Sequence, residues 1–100
     1  MKKAGLFLMF AATAAFAGEW TGYISETKCG AKHNDGSAGA IACVKTCIKG
    51  GAKPVLVVDG KVVGIANDAK VTSDLYGKKV TVTGDLKGES LTIATIAAAH

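Results

Sequence analysis

The stretch GKKVTVTGDLKGESLTI, residues 77–93, decides the predicted fold of this 100-residue chain. From Lys79 to Leu86 apolar and polar residues alternate, which is the pattern of a strand with one buried face and one exposed face. The turn-forming residues 87–90 separate this strand from a second one that starts at Leu91. A connection of this length places Leu86 opposite Leu91, so the apolar residues of the two strands lie on the same face of the hairpin. The stretch therefore predicts an antiparallel hairpin.

A second hairpin is predicted upstream of this one. Pro54 opens an apolar run, Val55–Val58, and another run, Lys61–Ile65, follows after Asp59-Gly60. An Asp-Gly pair between two apolar runs is among the strongest sequence signals for a two-residue hairpin turn. Because both arms are almost continuously apolar, we expect both to be covered on both faces.

The first strand is predicted between Gly18 and Ser25. Trp20, Gly22 and Ile24 share one face of this strand. A glycine inside a strand indicates a bulge or a close approach of another backbone. Four side chains are expected at the centre of the core: Trp20, Ile24, Val82 and Ile93.

A helix is predicted between the first strand and the first hairpin. Residues 26–37 form a loop, Ser37 is placed to cap the helix, and Gly50-Gly51 ends it. A buried stripe at helical spacing consists of Ile41, Val44 and Ile48. A further short helical turn is expected between residues 67 and 76.

Together these elements predict a mainly β (β+α) domain: a small five-stranded OB-like barrel with one helix, which carries Cys43 and Cys47. The order of elements resembles the five-stranded Greek-key barrel of OB-folds. Residues 77–84 followed by Leu91-Thr92-Ile93 are similar to the closing hairpin of small periplasmic OB-fold domains. The chain as a whole resembles a family of small secreted bacterial proteins that combine a Trp-x-Gly strand and a cysteine insert with such a barrel. That resemblance implies a fold and no activity.

Residues 1–17 have the pattern of a secretory signal peptide. Lys2 and Lys3 form a positively charged N-terminal segment, which an uncharged and mostly apolar run follows. Ala15-Phe16-Ala17 is a small-x-small cleavage site. The apolar run is shorter than the roughly 18 residues needed to span a bilayer, so no membrane span is expected after cleavage. We therefore expect a periplasmic or secreted protein. Its residues 18–100 form a single OB-like domain with a cysteine-rich insert at residues 26–51.

The charge pattern argues against a nucleic-acid partner. The chain has twelve lysines and no arginine, against eight acidic residues. Arginine makes most of the bidentate contacts to phosphates and bases, and it is absent here. The lysines are interpreted as a solvated surface. A domain of this length has a small core, which a disulfide or a bound metal ion is expected to reinforce.

All three cysteines lie between residues 29 and 47, together with one of the two histidines. They form two pairs of equal spacing, Cys29-x3-His33 and Cys43-x3-Cys47, and in a helix the second pair lies one turn apart on one face. Three thiolates and one imidazole are enough ligands for one tetrahedral ion, and this set suits zinc or copper(I). Because four protein ligands leave no place for a substrate, a zinc site here would be structural.

Two other interpretations of the same residues remain open. In an oxidising compartment two of the three cysteines would form a stabilising disulfide. Cys29 with Cys43 or Cys47 is the favoured pair, because cysteines four apart in a helix are poorly oriented for a bond. The spacing Cys43-x3-Cys47 is also the one that copper chaperones of the Sco type use together with a distant histidine. A periplasmic copper-transfer or thiol-redox protein is therefore the alternative function.

No catalytic residue is predicted. The acidic residues lie in predicted turns and at strand ends, and neither His33 nor His100 has a serine or acid partner in the sequence. The sequence also lacks the motifs of a phosphate loop, a nucleophile elbow and a dinucleotide site. We therefore expect a non-enzymatic binding protein that takes one zinc or copper ion, or no cofactor, and a partner that the sequence does not identify.

Overall fold

The computed structural model describes residues 15–32 and 35–99. His33 and His100 lie outside this part of the chain, as does the predicted signal peptide up to residue 14. The described residues form five strands and one α-helix: β1 (Ala15–Glu26), α1 (Ala38–Lys49), β2 (Pro54–Val58), β3 (Lys61–Ile65), β4 (Lys79–Lys87) and β5 (Ser90–Ala98). Two 3-10 turns, Asp68–Lys70 and Ser73–Leu75, lie between β3 and β4, where a short helical turn was expected.

The five strands close into a barrel in the order β1-β2-β3-β5-β4. Neighbouring strands are antiparallel except β3 and β5, which run parallel where Gly64 lies beside Ser90 and Ile65 beside Leu91. The side chain of Asn67 extends this seam, because it both donates to and accepts from the backbone of Ile93, each bond at 2.8 Å. The predicted mainly β fold, a closed five-stranded barrel with one helix, is therefore confirmed.

Both predicted hairpins are present. Leu86 lies opposite Leu91 in the β4–β5 pair. In the β2–β3 turn Asp59 has φ 50° and Gly60 has φ 79°, the positive values that a tight two-residue turn requires. β2 is buried on both faces from Pro54 to Val57, as predicted, but the expected two-sided cover of β3 is wrong, since Val62 is 41% exposed. The reason is that α1 packs mainly against β1, on the opposite side of β2 from β3.

The barrel interior is filled by a cluster of eight buried apolar side chains: Ile24, Leu56, Val71, Leu75, Val80, Val82, Leu91 and Ile93. Three of the four predicted core residues belong to this cluster. Trp20 is half-buried and packs against it from the side. Because β1 pairs with β2 only from Tyr23 onward, the part of β1 that carries Trp20 is bordered by β4 alone.

The helix begins and ends where the sequence predicts. The Ser37 hydroxyl accepts a hydrogen bond from the backbone N–H of Ala40 at 3.1 Å, which caps the first turn. Gly50 follows the last helical residue, and its N–H bonds back to the carbonyl of Cys47 at 3.1 Å. Ala40 and Val44 are the fully buried residues of the helix. Ile41 and Ile48, the other members of the predicted stripe, are half-buried.

Two glycines allow backbones to come close together in the barrel wall. A Cβ atom on Gly22 would lie 2.2 Å from the carbonyl oxygen of Val57, and one on Gly84 would lie 2.1 Å from that of Thr92. These distances are far inside van der Waals contact, and the opposing atoms belong to rigid backbone. The close approach predicted at Gly22 is therefore confirmed.

Gly84→Ala is expected to lower the free energy of unfolding by about 1–3 kcal/mol or more, because the added methyl forces β4 and β5 apart. The matched control is Gly39→Ala in α1, where an added Cβ meets nothing within 4 Å. That change is expected to stabilise the protein by about 0.5–1 kcal/mol, since alanine is the better helix former. Urea unfolding followed by circular dichroism measures both. Equal effects of the two substitutions would contradict the assigned backbone contact.

Candidate metal centre

The three cysteines converge at one point beside the barrel. Their Sγ atoms all lie within 4.8 Å of one another, and those of Cys29 and Cys43 are 4.0 Å apart. All three thiols are half-buried. The convergence of Cys29, Cys43 and Cys47 expected from their spacing is confirmed, whereas His33, the fourth predicted ligand, lies outside the described residues.

Two of the thiols are positioned by helix α1. Cys43 and Cys47 are separated by one helical turn, so their side chains lie one above the other on the same face. Val44, which lies between them in sequence, is 2% exposed. Because Val44 is buried, the rotation of the helix about its axis is set by packing. The two thiols are therefore directed to the same place before any metal ion binds.

The third thiol is positioned by the tight turn that follows β1. The backbone N–H of Gly30 donates to the carbonyl oxygen of Glu26 at 2.9 Å, and the buried hydroxyl of Ser25 donates to the carbonyl oxygen of Gly30 at 2.6 Å. The N–H of Thr27 donates to the carbonyl oxygen of Lys53 at 3.0 Å, which ties the turn to the start of β2. Cys29 thus lies on a braced loop rather than on a free one.

A buried glutamate lies next to the thiols, and the sequence analysis missed it. Glu26 is the last residue of β1 and has 0% of its surface exposed. Its carboxylate accepts the backbone N–H of Lys28 at 2.6 Å and that of Cys29 at 2.9 Å. The sequence predicts Glu26 to be an ordinary acid at a strand end. The alternation of β1 could have predicted this burial, since position 26 continues the inward-facing series of Trp20, Gly22 and Ile24.

The carboxylate and the thiols shift one another's pKa values. Burial alone raises the pKa of Glu26, but hydrogen bonds from the Cys29 thiol, from the N–H groups of Lys28 and Cys29 and from the Cys47 thiol together lower it. The pKa of the Cys29 thiol is raised, first by its hydrogen bond to Glu26 and then by burial. The pKa of Cys43 is raised mainly by its hydrogen bond with Cys29, and that of Cys47 mainly by burial.

The geometry fits a metal ion better than a disulfide. Two sulfur ligands on a tetrahedral zinc ion lie about 3.8 Å apart when each zinc–sulfur bond is about 2.3 Å long. The 4.0 Å between the Sγ atoms of Cys29 and Cys43 is close to that value. A disulfide requires about 2.05 Å, and all three cysteines are free thiols. The predicted disulfide is therefore not supported, while a group of three thiols that could hold a metal ion is present.

Comparisons with known proteins do not assign a function to this site. No protein-family model, no curated protein and no solved structure matches the chain. Within the part of the chain that the structure describes, no helix is long and apolar enough to cross a membrane. The functional interpretation therefore rests on the geometry of the three thiols and their surroundings.

Proposed function

We propose that this protein is a small exported metal-binding protein that holds one zinc or copper ion through Cys29, Cys43 and Cys47. The observation that carries the proposal is the mutual approach of the three Sγ atoms to within 4.8 Å. Thiolates are the protein ligands best suited to zinc and to copper(I). His33, which follows Cys29 by four positions, remains the fourth ligand that the sequence predicts.

Preorganisation supports this proposal. One thiol comes from a loop braced by the barrel and two come from a helix whose rotation is set by burial of Val44. Ligands that already converge lose little conformational freedom when the ion binds, which raises affinity. A site with three protein sulfurs and a fourth protein ligand has no open position for a substrate. We therefore propose that the protein binds and stores the ion, or is stabilised by it, and that the ion does not serve catalysis.

Export is part of the proposal, with cleavage between Ala17 and Gly18 and action in the periplasm or outside the cell. Cleavage there removes the first three residues of β1, which pair with residues 85–87 of β4. The pairs from Gly18 to Tyr23 remain, so barrel closure through β1 and β4 is retained. Protein isolated from the producing cell should have the mass of a chain that begins at Gly18. A chain that still begins at Met1 would contradict export.

Native mass spectrometry tests the metal site directly. The protein is expected to bind one zinc or copper(I) ion, and all three thiols should react with a thiol reagent after chelation. Cys43→Ser should abolish binding at one equivalent of metal, because it removes one of three sulfur ligands. Thr46→Ser, an exposed change on the same helix, is the matched control and should bind normally. Equal binding by both variants would place the metal elsewhere and overturn the proposal.

Thiol-redox chemistry or copper transfer is the second candidate, favoured by the 4.0 Å separation of the Cys29 and Cys43 sulfurs. In the redox reaction the two thiols would form one disulfide and pass two electrons and two protons to a disulfide acceptor. The redox function predicts a protein whose mass is lower by two hydrogens. It should also have one titratable thiol and no bound metal. Preferential binding of copper(I), followed by its release to an acceptor, would favour copper transfer instead.

A further inference from the structure

We propose that the three-thiol site is a redox-gated metal site, in which a bound ion and a disulfide between Cys29 and Cys43 exclude each other. Oxidation of these two thiols releases the ion, and the bound ion protects them from oxidation. The inference rests on the proposed function and deepens it, because it names what controls release of the ion. In the thiol-redox candidate, by contrast, the thiols hold no metal and pass electrons to a partner.

The positions of the sulfur atoms select the pair that can form the bond. The Sγ atoms of Cys29 and Cys43 are in hydrogen-bond contact at 4.0 Å. A disulfide bond is about 2.05 Å long, so each of the two sulfurs has to move by about 1 Å. Cys43 and Cys47 both belong to α1 and lie four positions apart, an arrangement that orients the two sulfurs poorly for a bond. Cys47 is therefore the cysteine that stays unpaired.

The same two cysteines are ligands of the proposed ion. Cys29, Cys43 and Cys47 have Sγ atoms within 4.8 Å of one another, and within the described residues they are the group that could hold a metal ion. The thiolate is the form of cysteine that binds a metal, and a sulfur in a disulfide is no longer a thiolate. A Cys29–Cys43 disulfide therefore leaves one sulfur ligand, which is too few to retain the ion.

The three thiols are accessible to a small oxidant. All of them are half-buried. Each cysteine is also preceded in the sequence by an exposed residue: Lys28, Ala42 and Thr46. Reactive cysteines are partially exposed, whereas fully buried ones are inert. A low-molecular-weight disulfide can therefore reach the sulfur atoms without unfolding of the barrel.

Oxidation consists of two thiol–disulfide exchanges with such a small disulfide. The first protein thiolate attacks the small disulfide, breaks its S–S bond, forms a mixed disulfide and releases one small thiolate. The second protein thiolate attacks the protein sulfur of the mixed disulfide, forms the Cys29–Cys43 bond and releases the other small thiolate. Two electrons pass from the protein to the small disulfide. Protons held by the two protein thiols end on the released small thiols, so no further reactant is needed.

Mass action gives the size of the effect, because the ion binds the reduced protein and not the oxidised one. Zinc at a free concentration about a thousand times its dissociation constant favours the reduced state about a thousandfold. The equilibrium constant for oxidation is expected to fall by the same factor. For a two-electron couple this corresponds to about 90 mV, at about 29.6 mV for each tenfold change.

A redox titration of the unaltered protein in glutathione buffers, with and without zinc, tests the inference. Zinc is the probe, because it has no redox chemistry of its own. Without zinc, oxidation is expected to remove two of the three titratable thiols and to lower the mass by two hydrogens. With zinc at about a thousand times its dissociation constant, the midpoint should require an oxidising ratio about a thousandfold higher. Complete oxidation of the loaded protein should release one equivalent of zinc, and reduction should restore binding.

Peptide mapping identifies the cysteines that pair. Trypsin cleaves after lysine, so each cysteine falls on its own peptide: residues 29–32, 33–45 and 46–49. The disulfide is expected to join the first of these peptides to the second, and the third should carry a free thiol.

Cys47→Ser separates the disulfide from the metal site. This variant keeps both cysteines of the assigned pair and loses one sulfur ligand of the ion. It is expected to oxidise as the metal-free unaltered protein does, and zinc should no longer shift its midpoint. Thr46→Ser, an exposed change on the same helix, is the matched control and should behave like the unaltered protein. The titration and the peptide map of the unaltered protein decide the inference even if Cys47→Ser fails to fold.

The outcomes separate this inference from the function on which it rests. If zinc binds but leaves the midpoint unchanged, or stays bound after complete oxidation, the inference is overturned while the metal site stands. A disulfide that includes Cys47 also overturns it. If only copper(I) binds, the same titration is made with copper(I) without oxygen and has the same two outcomes. If neither zinc nor copper(I) binds the unaltered protein, the proposed function itself fails.

Discussion

Zinc at a free concentration about a thousand times its dissociation constant is expected to raise the free energy of unfolding of this protein by about 4 kcal/mol. The ion would join the loop that carries Cys29 to the helix that carries Cys43 and Cys47, and Cys29 lies 14 residues before Cys43 in the sequence. An unfolded chain does not hold the three sulfurs together, so binding favours the folded state. For a domain with so small a core, this contribution is a large fraction of its total stability.

Urea unfolding in zinc and in chelator measures the metal-linked stabilisation. Cys43→Ser should have the same stability in both conditions, because it no longer binds the ion. Magnesium, which prefers oxygen ligands, is the metal control and should have no effect on either protein. A zinc-dependent gain that persists in Cys43→Ser would show that the ion stabilises the fold from another position.

Ile24→Ala is expected to lower the free energy of unfolding by about 2–5 kcal/mol, the cost of emptying a fully buried aliphatic site. The Ile24 side chain is 0% exposed and belongs to the central cluster of the barrel. Its backbone is held independently, since its N–H donates to Lys78 at 3.1 Å and its carbonyl accepts from Gly77 at 2.8 Å. The substitution therefore removes packing and leaves the connection between β1 and the start of β4 in place.

Val62→Ala provides the control for this core truncation. Val62 lies on β3 and is 41% exposed, so its truncation is expected to cost less than about 1 kcal/mol. Both proteins are compared in chelator, which keeps metal binding out of the measurement. Similar losses for Ile24→Ala and Val62→Ala would contradict the location of the core.

Local patterns account for the parts of the fold that were predicted correctly. Val80 and Val82 alternate with polar neighbours, and Asp59-Gly60 is a pair that tolerates the positive φ values of a tight turn. Ser37 can cap a helix wherever the following residues are helical. Each of these features depends on residues a few positions apart, and therefore it can be read without knowing what packs against it.

The site was predicted only in part. The equal spacing of Cys29-x3-His33 and Cys43-x3-Cys47 correctly predicted that the three thiols converge. The prediction holds because Cys43 and Cys47 lie on one helix and a short loop carries Cys29. The burial of Glu26 was missed, because an acid at the end of a strand is ordinarily solvated. Its position is set by tertiary structure, since Glu26 pairs with Pro54 of β2 and its carboxylate accepts the N–H groups of Lys28 and Cys29.

The sequence by itself determined the strands, the helix, the two hairpin turns and the three cysteines that converge, since periodicity, turn chemistry and cysteine spacing are local properties of the chain. Only the tertiary structure decided which side chains lose contact with water. Closure of β1 against β2 and β4, and packing of α1 on β1, buried Glu26 beside three thiols and left Val62 in solvent. Burial is set by elements distant in sequence. For that reason the buried charge of Glu26 near the proposed metal site could be recognised only from the tertiary structure.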